Sequence, residues 1–530
     1  MTRLTIVLLA LHAGPLLAQE PLHRRIDDAI ASGFKGPFAK EADHAAFVRR
    51  VHLDLAGVIP TAAEVRQFLN DESSNKRAAL IDRLLAGPDF PRRMQEAFHV
   101  MLEERREVKE SPLADWEDFL LTSFASGKPF DQLAREILAA DGKPAATNKF
   151  YVDRNGEPHL ITRDVARLFL GRDVECSQCH DHPTVHDYKQ ADYFGLYAFV
   201  NRSFVAKQGK VTGLAEKVSP GQVDFESVFD TIKMKTGPRL PSGKEIVEPA
   251  YAKGEEYLEK PNPKEGKPGV PKFSSRAVLA QQLTSAKNSA FVRNSANRLW
   301  YLMMGQGVVH PLDQHHSDNV PAQPKLLDVL AEGLVELKFD VKAFLREIAL
   351  SAAYQRSSML PGKDEPPTGT FAVAELRPLS PEQLLYSVAQ ATGGLEAVVR
   401  KTATPAERAG AMRTKFGPSL KGFVTAFGNR PGEAEVAFQP SLAGALYLSN
   451  DRVILEWLEP KDGNLAARLA KLTDDAVAEE MYFSILSRPA TTAERAETAA
   501  HLRTRGEQRT LALRELCWAL LASTEFRLNH

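Results

Sequence analysis

The sequence predicts a mainly α-helical protein, with two helical domains joined by an irregular Lys/Gly/Pro-rich segment and a possible small β hairpin. Apolar residues recur at helical spacing from Asp43 to Asp141 and again from Ser274 almost to the end. Between Ala206 and Lys272 long apolar side chains are scarce. Strands do not alternate with helices, and no repeat of about 20–50 residues is visible, which disfavours a doubly wound sheet and a solenoid.

Length and charge bound the class of protein. The 530 residues suffice for about two to four domains with hydrophobic cores. Lys+Arg 67 against Asp+Glu 68 leaves a net charge of −1, so the chain has no large positive field for sequence-independent binding of nucleic acid. We therefore expect no nucleic-acid partner.

Residues 1–18 have the layout of a secretory signal peptide. Arg3 supplies a positive end, Leu4 to Leu11 form an apolar run, and small Ala18 precedes the expected cleavage site. The run is shorter than the roughly 20 residues that span a bilayer, and no later stretch approaches about 18 uninterrupted apolar residues. We expect an exported protein in the periplasm, the cell envelope or the medium, without a stable membrane span after removal of the signal.

The first helical domain is expected over residues 19–205. Thr61 followed by Glu64 is typical of a helix start, and Gly87 with Pro88 is typical of a helix end. A second stop is predicted at Gly127–Pro129. The helix from Arg163 to Leu170 should end at Gly171, because glycine suits a left-handed C-cap.

A linker or small insertion is expected over residues 206–273, and a second helical domain over 274–530. Lys, Gly and Pro dominate the stretch from Lys260 to Gly269, which favours irregular backbone. Leucines then recur at helical spacing, for example at Leu327, Leu330 and Leu334.

The sharpest chemical motif is Cys176-Ser177-Gln178-Cys179-His180, the C-x-x-C-H signature of covalent haem c attachment. Two thiols separated by two residues can reach the two vinyl groups on one edge of a porphyrin, and the histidine that follows can bind the iron. Cys176, Cys179 and His180 are therefore the predicted haem-binding residues, with His180 as the iron ligand. The second iron ligand stays unassigned, with His182, His186 and Met234 as candidates.

Two other interpretations of the same loop stay open. Cys176, Cys179, His182 and His186 also have the pattern C-x2-C-x2-H-x3-H, which could form a tetrahedral zinc site, although the gap between the pairs is shorter than in ordinary zinc fingers. In an oxidising compartment the two cysteines could instead form a disulfide.

Motifs of common enzyme classes are absent from the sequence. It contains no G-x-S-x-G, H-E-x-x-H or P-loop pattern, and no G-x-G-x-x-G opening a helix. No catalytic residue is therefore predicted, and electron transfer or binding is expected ahead of enzyme activity.

Segments along nearly the whole mature chain resemble, in order, the planctomycete cytochrome-like family of secreted proteins. They are Phe47–Thr61, Val165–Gly171, Cys176–Pro183, Asp192–Leu196, Phe291–Trp300, Gly305–Asp313, Arg377–Leu384, Trp518–Leu521 and Glu525–His530. The resemblance implies two consecutive domains of unknown function with the C-x-x-C-H motif in the first. It carries the haem-binding role over to Cys176, Cys179 and His180 alone.

This chain departs from the family in one segment of the second domain. Where the family often has a cysteine, residues 427–442 contain none, so a metal or disulfide role is not carried over. Ser441 and Leu442 keep the family pattern and suggest a retained helix start.

The leading hypothesis is an exported protein that binds one haem c and passes electrons, which requires a redox partner protein. The alternative is a non-redox structural or binding protein whose Cys/His loop holds zinc or a disulfide.

Overall fold

The computed structural model describes residues 20–107, 112–142, 145–208, 211–230, 232–434, 444, 447–448, 451–461 and 463–530. The expected signal peptide and the helix start expected at Ser441 and Leu442 lie outside the described residues. Within them the protein is mainly α-helical with small two-stranded sheets, which confirms the predicted fold class. None of the helices in this part of the chain is both long and apolar enough to cross a membrane.

Helices α1 to α10 precede the first strand. They are Leu22–Gly33, His44–Ala56, Ala62–Asn70, Lys76–Ala86, Asp89–Glu103, Leu113–Ala125, Phe130–Ala139, Lys149–Val152, Pro158–Leu170 and Gln190–Val200, with short 3-10 turns at Ala145–Asn148 and Cys176–Gln178. Thr61 and Glu64 form a reciprocal capping box at the start of α3. Gly171 ends α9 in the left-handed region at φ 68°, as the sequence predicts.

Three antiparallel hairpins follow in the described part of the Lys/Gly/Pro-rich segment. Their strands β1 to β6 are Ser203–Gln208, Val211–Glu216, Val223–Glu226, Lys233–Thr236, Tyr257–Glu259 and Val270–Pro271, paired in sequence order. In β3 only Phe225 is buried, opposite Met234 of β4. Strands with so few inward residues leave little alternation in the sequence, which explains why only one small hairpin is expected there.

Helices return after the hairpins as α11 to α24. They are Ser275–Leu283, Ser289–Met304, Pro324–Glu336, Val341–Leu350, Ala352–Gln355, Pro381–Thr392, Gly394–Val399, Pro405–Phe427, Arg452–Trp457, Leu465–Leu469, Asp474–Leu486, Thr492–Arg505, Arg509–Ala522 and Thr524–Arg527. One 3-10 turn, Gly506–Gln508, lies among them, and another, Pro263–Glu265, lies between β5 and β6. Two short strands, β7 (Arg377–Pro378) and β8 (Leu528–Asn529), pair antiparallel and bring the end of the chain beside the start of α16.

Two hydrophobic cores join helices from both sides of the hairpins. The first core contains Trp116 of α6 together with Trp300 of α12. In the same core the rings of Phe130 and Phe291 stack with their centroids 5.9 Å apart. The second core is built mainly from α16 to α24, but it also includes Leu53 of α2. Helices that are distant in sequence therefore bury each other's apolar faces.

Candidate functional site

The cysteine motif lies in the loop between α9 and α10, and a close approach of backbone sets where this loop begins. A Cβ atom on Gly171 would lie 2.6 Å from His315 Cδ2 and 2.8 Å from Asn294 Oδ1. Since Gly171 also has φ 68°, any other residue would be strained as well as crowded. The glycine thus allows the chain to leave α9 directly against the segment that follows α12.

Backbone hydrogen bonds hold the start of the motif loop to that segment. The amide of Asp173 donates to the carbonyl oxygen of Asp313 at 2.8 Å, and the amide of His315 donates to that of Gly171 at 2.9 Å. Burial lowers the pKa of His315 to about 3, so its ring is neutral and acts here as a packing group.

The hairpin β3–β4 holds the other side of the loop. The amide of Val228 donates to the carbonyl oxygen of Cys179 at 3.0 Å. The Gln190 side chain, at the start of α10, donates to the carbonyl oxygen of Glu226 at 3.1 Å. Elements from the first helices, the hairpins and the second helical part therefore all position the motif.

The three predicted haem-binding residues come together on one turn. Cys176 begins the 3-10 turn, and the amides of Cys179 and His180 donate to its carbonyl oxygen at 3.2 and 3.3 Å. Both thiols of the motif are free and exposed. The third cysteine differs, because Cys517 is buried and burial raises the pKa of its thiol to about 12.

The ring of His180 is oriented by its own loop. Its Nδ1 lies 2.6 Å from the carbonyl oxygen of Asp181. A carbonyl oxygen can only accept, so Nδ1 carries the proton and donates it, which leaves the lone pair of Nε2 available in the neutral ring. The Phe229 ring packs against it with 4.8 Å between the centroids.

Three apolar side chains project into solvent at the end of hairpin β3–β4, beside the motif. Val228 is 67% exposed, Phe229 79% and Ile232 65%. We call these three residues the apolar tip. Clustered apolar side chains that face water commonly mark a binding surface.

The alternative zinc set is not assembled in this structure. His182 Nδ1 accepts a hydrogen bond from the amide of Val185 at 2.9 Å, so the proton of the neutral ring is on Nε2. In this arrangement neither ring nitrogen has a free lone pair for a metal ion. His186 is exposed. Among the described residues no group of three or more His, Cys, Asp or Glu side chains is placed to hold a metal ion.

A cleft elsewhere in the molecule contains charged residues that sequence reasoning missed. It has a volume of about 1390 Å³ and lies between α5, α12 and the segment leading into α16, away from the two thiols. Buried Arg93, Glu96, Arg298 and Glu382 line it. The adjacent Arg92 and Arg93 stand among apolar residues at helical spacing, and this is the only sequence signal that could have pointed to them.

Two family models match consecutive parts of the chain. PSCyt2, described as a protein of unknown function (DUF1549), covers residues 25–204. PSD1, described as a protein of unknown function (DUF1553), covers residues 275–502. Searches of curated proteins and of solved structures find no match.

Proposed function

We propose that this chain, which carries a PSCyt2 domain followed by a PSD1 domain, both of unknown function, is an exported electron-transfer protein holding one covalent haem c. Cys176 and Cys179 form the thioether bonds in this proposal, and His180 binds the iron. The observation that carries it is a pair of free, exposed thiols on one turn, followed at once by a histidine with an available Nε2.

The state of the thiols fits covalent attachment. Thioether formation needs two reduced sulfurs that the porphyrin edge can reach, and both sulfurs are unpaired and open to solvent. The shared turn keeps Cys176 and Cys179 at a spacing set by the hydrogen bond from the Cys179 amide to the carbonyl oxygen of Cys176.

The orientation of His180 fits iron binding. A ligating histidine usually donates its other ring N–H to a carboxylate or carbonyl oxygen, which fixes the tautomer and raises the basicity of the ligating nitrogen. The carbonyl oxygen of Asp181 already accepts such a hydrogen bond from His180 Nδ1.

The apolar tip fits the large apolar face of a porphyrin. Val228, Phe229 and Ile232 leave most of their surface in water, and a planar apolar group bound at the motif would cover part of it. The hydrogen bond from Val228 to Cys179 holds this tip beside the thiols.

When bound, haem c supplies a reversible one-electron change at its iron. The chain's own residues hold the cofactor in a surface loop, where a donor or acceptor can approach it. A single haem needs at least one redox partner protein. The expected signal peptide would place this exchange in the periplasm, the cell envelope or the medium.

The test is expression of the full chain, with its leader, in a host that matures c-type haem. We expect a c-type spectrum that sharpens on dithionite reduction, and a haem stain at full length after denaturation. The double variant Cys176→Ala, Cys179→Ala should lose the covalent stain. Cys517→Ala, which removes the buried cysteine, is the matched control and should keep it.

Two results would contradict the proposal. One is protein without haem that contains about one zinc per chain. The other is protein without haem in which mass spectrometry finds an intact disulfide between Cys176 and Cys179. Either would favour a structural or binding protein.

A further inference from the structure

The cleft between α5 and α12 is lined by both charged and apolar side chains. Arg93 and Glu96 come from α5, Arg298 and Leu302 from α12, and Glu382 from α16. At about 1390 Å³ it has room for an organic ligand. The motif cysteines do not line it, so what it binds is independent of haem attachment.

Five glutamates line the cleft; Glu365 and Glu375 are exposed, and the three buried ones already have basic partners. Three buried glutamates line it, and each is bound by an arginine other than Arg93 or Arg298. The pairs are Glu96 with Arg92 at 2.7 Å, Glu104 with Arg106 at 2.9 Å and Arg167 at 2.5 Å, and Glu382 with Arg105 at 2.7 Å. These three carboxylates are therefore already neutralised by arginines other than Arg93 and Arg298.

Arg93 has no such partner. It is only 7% exposed, and its Nε is buried without a hydrogen bond. Within the described part of the chain no carboxylate forms an ion pair with its guanidinium. Burial lowers its pKa, and the carboxylates of Glu96, Asp54 and Glu382, which are close enough to act on its charge, offset this lowering only in part. The stem of the side chain packs against Gly57, where a Cβ atom would lie 2.9 Å from Arg93 Cδ. The fold thus holds this cation in place at the cleft wall.

Arg298 is a second buried guanidinium with only neutral partners. It is 7% exposed. Its Nε donates to Asn294 Oδ1 at 3.2 Å, and its Nη2 donates to the carbonyl oxygen of Arg167 at 2.9 Å. Burial lowers its pKa to about 10, so it is still protonated at neutral pH.

Two buried cations without carboxylate partners in one cleft are costly unless an anion joins them. We propose that this cleft binds an organic anion whose carboxylate, phosphate or sulfate oxygens pair with Arg93 and Arg298. The planar guanidinium fork matches such oxyanions in a bidentate manner. Apolar side chains of the wall, such as Val100, Met101 and Leu302, contact the organic part of the ligand.

The experiment is calorimetric titration of the full-length protein with inorganic phosphate, inorganic sulfate and succinate, each alone at low ionic strength. We expect saturable binding of at least one of them. Arg93→Gln and Arg298→Gln should each weaken it by about tenfold or more, since each removes a charge-assisted pair. Arg452→Gln is the matched control, because that side chain is 90% exposed and outside the cleft, and it should bind as the wild type does.

A second readout separates ligand binding from a structural role of Arg93. In anion-free buffer Arg93→Met should unfold at a higher temperature than the wild type, because an unpaired buried charge is replaced by an apolar chain. The anion should then stabilise the wild type and not this variant.

The proposal is overturned if none of the three anions binds saturably, or if binding is unchanged in both glutamine variants. It is also overturned if Arg93→Met lowers the unfolding temperature while the anion still binds. If an Arg93 variant does not fold, as judged by circular dichroism, Arg298→Gln and the wild-type titration decide the question.

Discussion

At the scale of single residues, the buried carboxylate of Asp54 joins parts of the chain that are far apart in sequence. It accepts hydrogen bonds from the Tyr354 hydroxyl at 2.8 Å, from Arg377 Nη2 at 2.9 Å and from Asn529 Nδ2 at 2.8 Å. Helix α2, the end of α15 and both strands of the pair β7–β8 therefore depend on one side chain.

We predict that Asp54→Asn destabilises the protein by about 3–5 kcal/mol, because it removes the buried carboxylate that pairs with the half-buried Arg377 guanidinium. Urea unfolding followed by circular dichroism measures this change. Asp82→Asn is the control, since the Asp82–Arg346 pair is solvent-exposed and should cost no more than about 1 kcal/mol. Equal losses in the two variants would refute the role given to Asp54.

A second residue makes stability depend on pH. Burial, aided by the nearby Arg105 guanidinium, lowers the pKa of His99 from 6.5 to about 4. Between these values the unfolded chain binds a proton at this position and the folded chain does not. The contribution of His99 to the free energy of unfolding therefore falls as the pH drops from about 6.5 to about 4.

We predict that His99→Gln removes this part of the pH dependence. Relative to pH 7, the wild type should lose about 2–3 kcal/mol more than the variant at pH 4.5, at about 1.4 kcal/mol per pKa unit. Urea titrations at both pH values measure the difference. His186→Gln, at an exposed position, should follow the wild type. A parallel loss in the His99 variant would show that another group is responsible.

Sequence patterns identify residues by type and spacing, which limits what they reveal at this scale. Cys176, Cys179 and His180 could be proposed as haem-binding residues from the sequence, because the C-x-x-C-H motif is defined by local spacing. The roles of Asp54, Arg93 and His99 could not be predicted, because all three depend on burial, and that of Asp54 depends also on partners hundreds of residues away.

At the scale of elements, the helix end at Gly171 sets the start of the cysteine loop. We predict that Gly171→Ala costs about 2–3 kcal/mol, since it adds crowding against His315 and Asn294 to the strain of a positive φ. Gly127→Ala tests strain alone, because Gly127 also has φ 70° but a Cβ atom there would have no neighbour within 4 Å. This variant should cost about 1 kcal/mol. Chemical denaturation of both variants measures the difference, and similar losses would exclude the crowding.

Helix ends were predictable where a single residue type imposes them. The Thr61–Glu64 capping box and the glycine after α9 lie where local rules place them. The hairpins were harder to foresee, because strands such as β3 bury a single side chain, Phe225, and because hairpin β3–β4 also depends on contacts with helix α10.

At the scale of the whole molecule, the cores bind together the two helical parts that the sequence separates at residues 206–273. Trp116 and Trp300 share one core, and Leu53 packs with helices from the C-terminal part in the other. Composition and periodicity distinguish this segment from the helical parts on either side, but they contain no information on which helix faces meet after it.

We predict that residues 20–205 alone do not fold cooperatively, because their apolar surface would lack the cover of α12 and α14. The isolated fragment should bind the dye ANS and show a broad thermal transition, whereas the full chain should unfold in one sharp transition. A fragment with a sharp transition and protected amides would establish an independent domain.

The pairing of β8 with β7 has a consequence for the order of events during synthesis. The side chains of Asp54 and Asn529 are hydrogen-bonded and 475 positions apart in the sequence. This hydrogen bond can form only after both residues have been synthesised. Packing around Asp54 is thus completed only after translation has passed residue 529. If the proposed export precedes folding, the whole chain is available when the packing around Asp54 is completed.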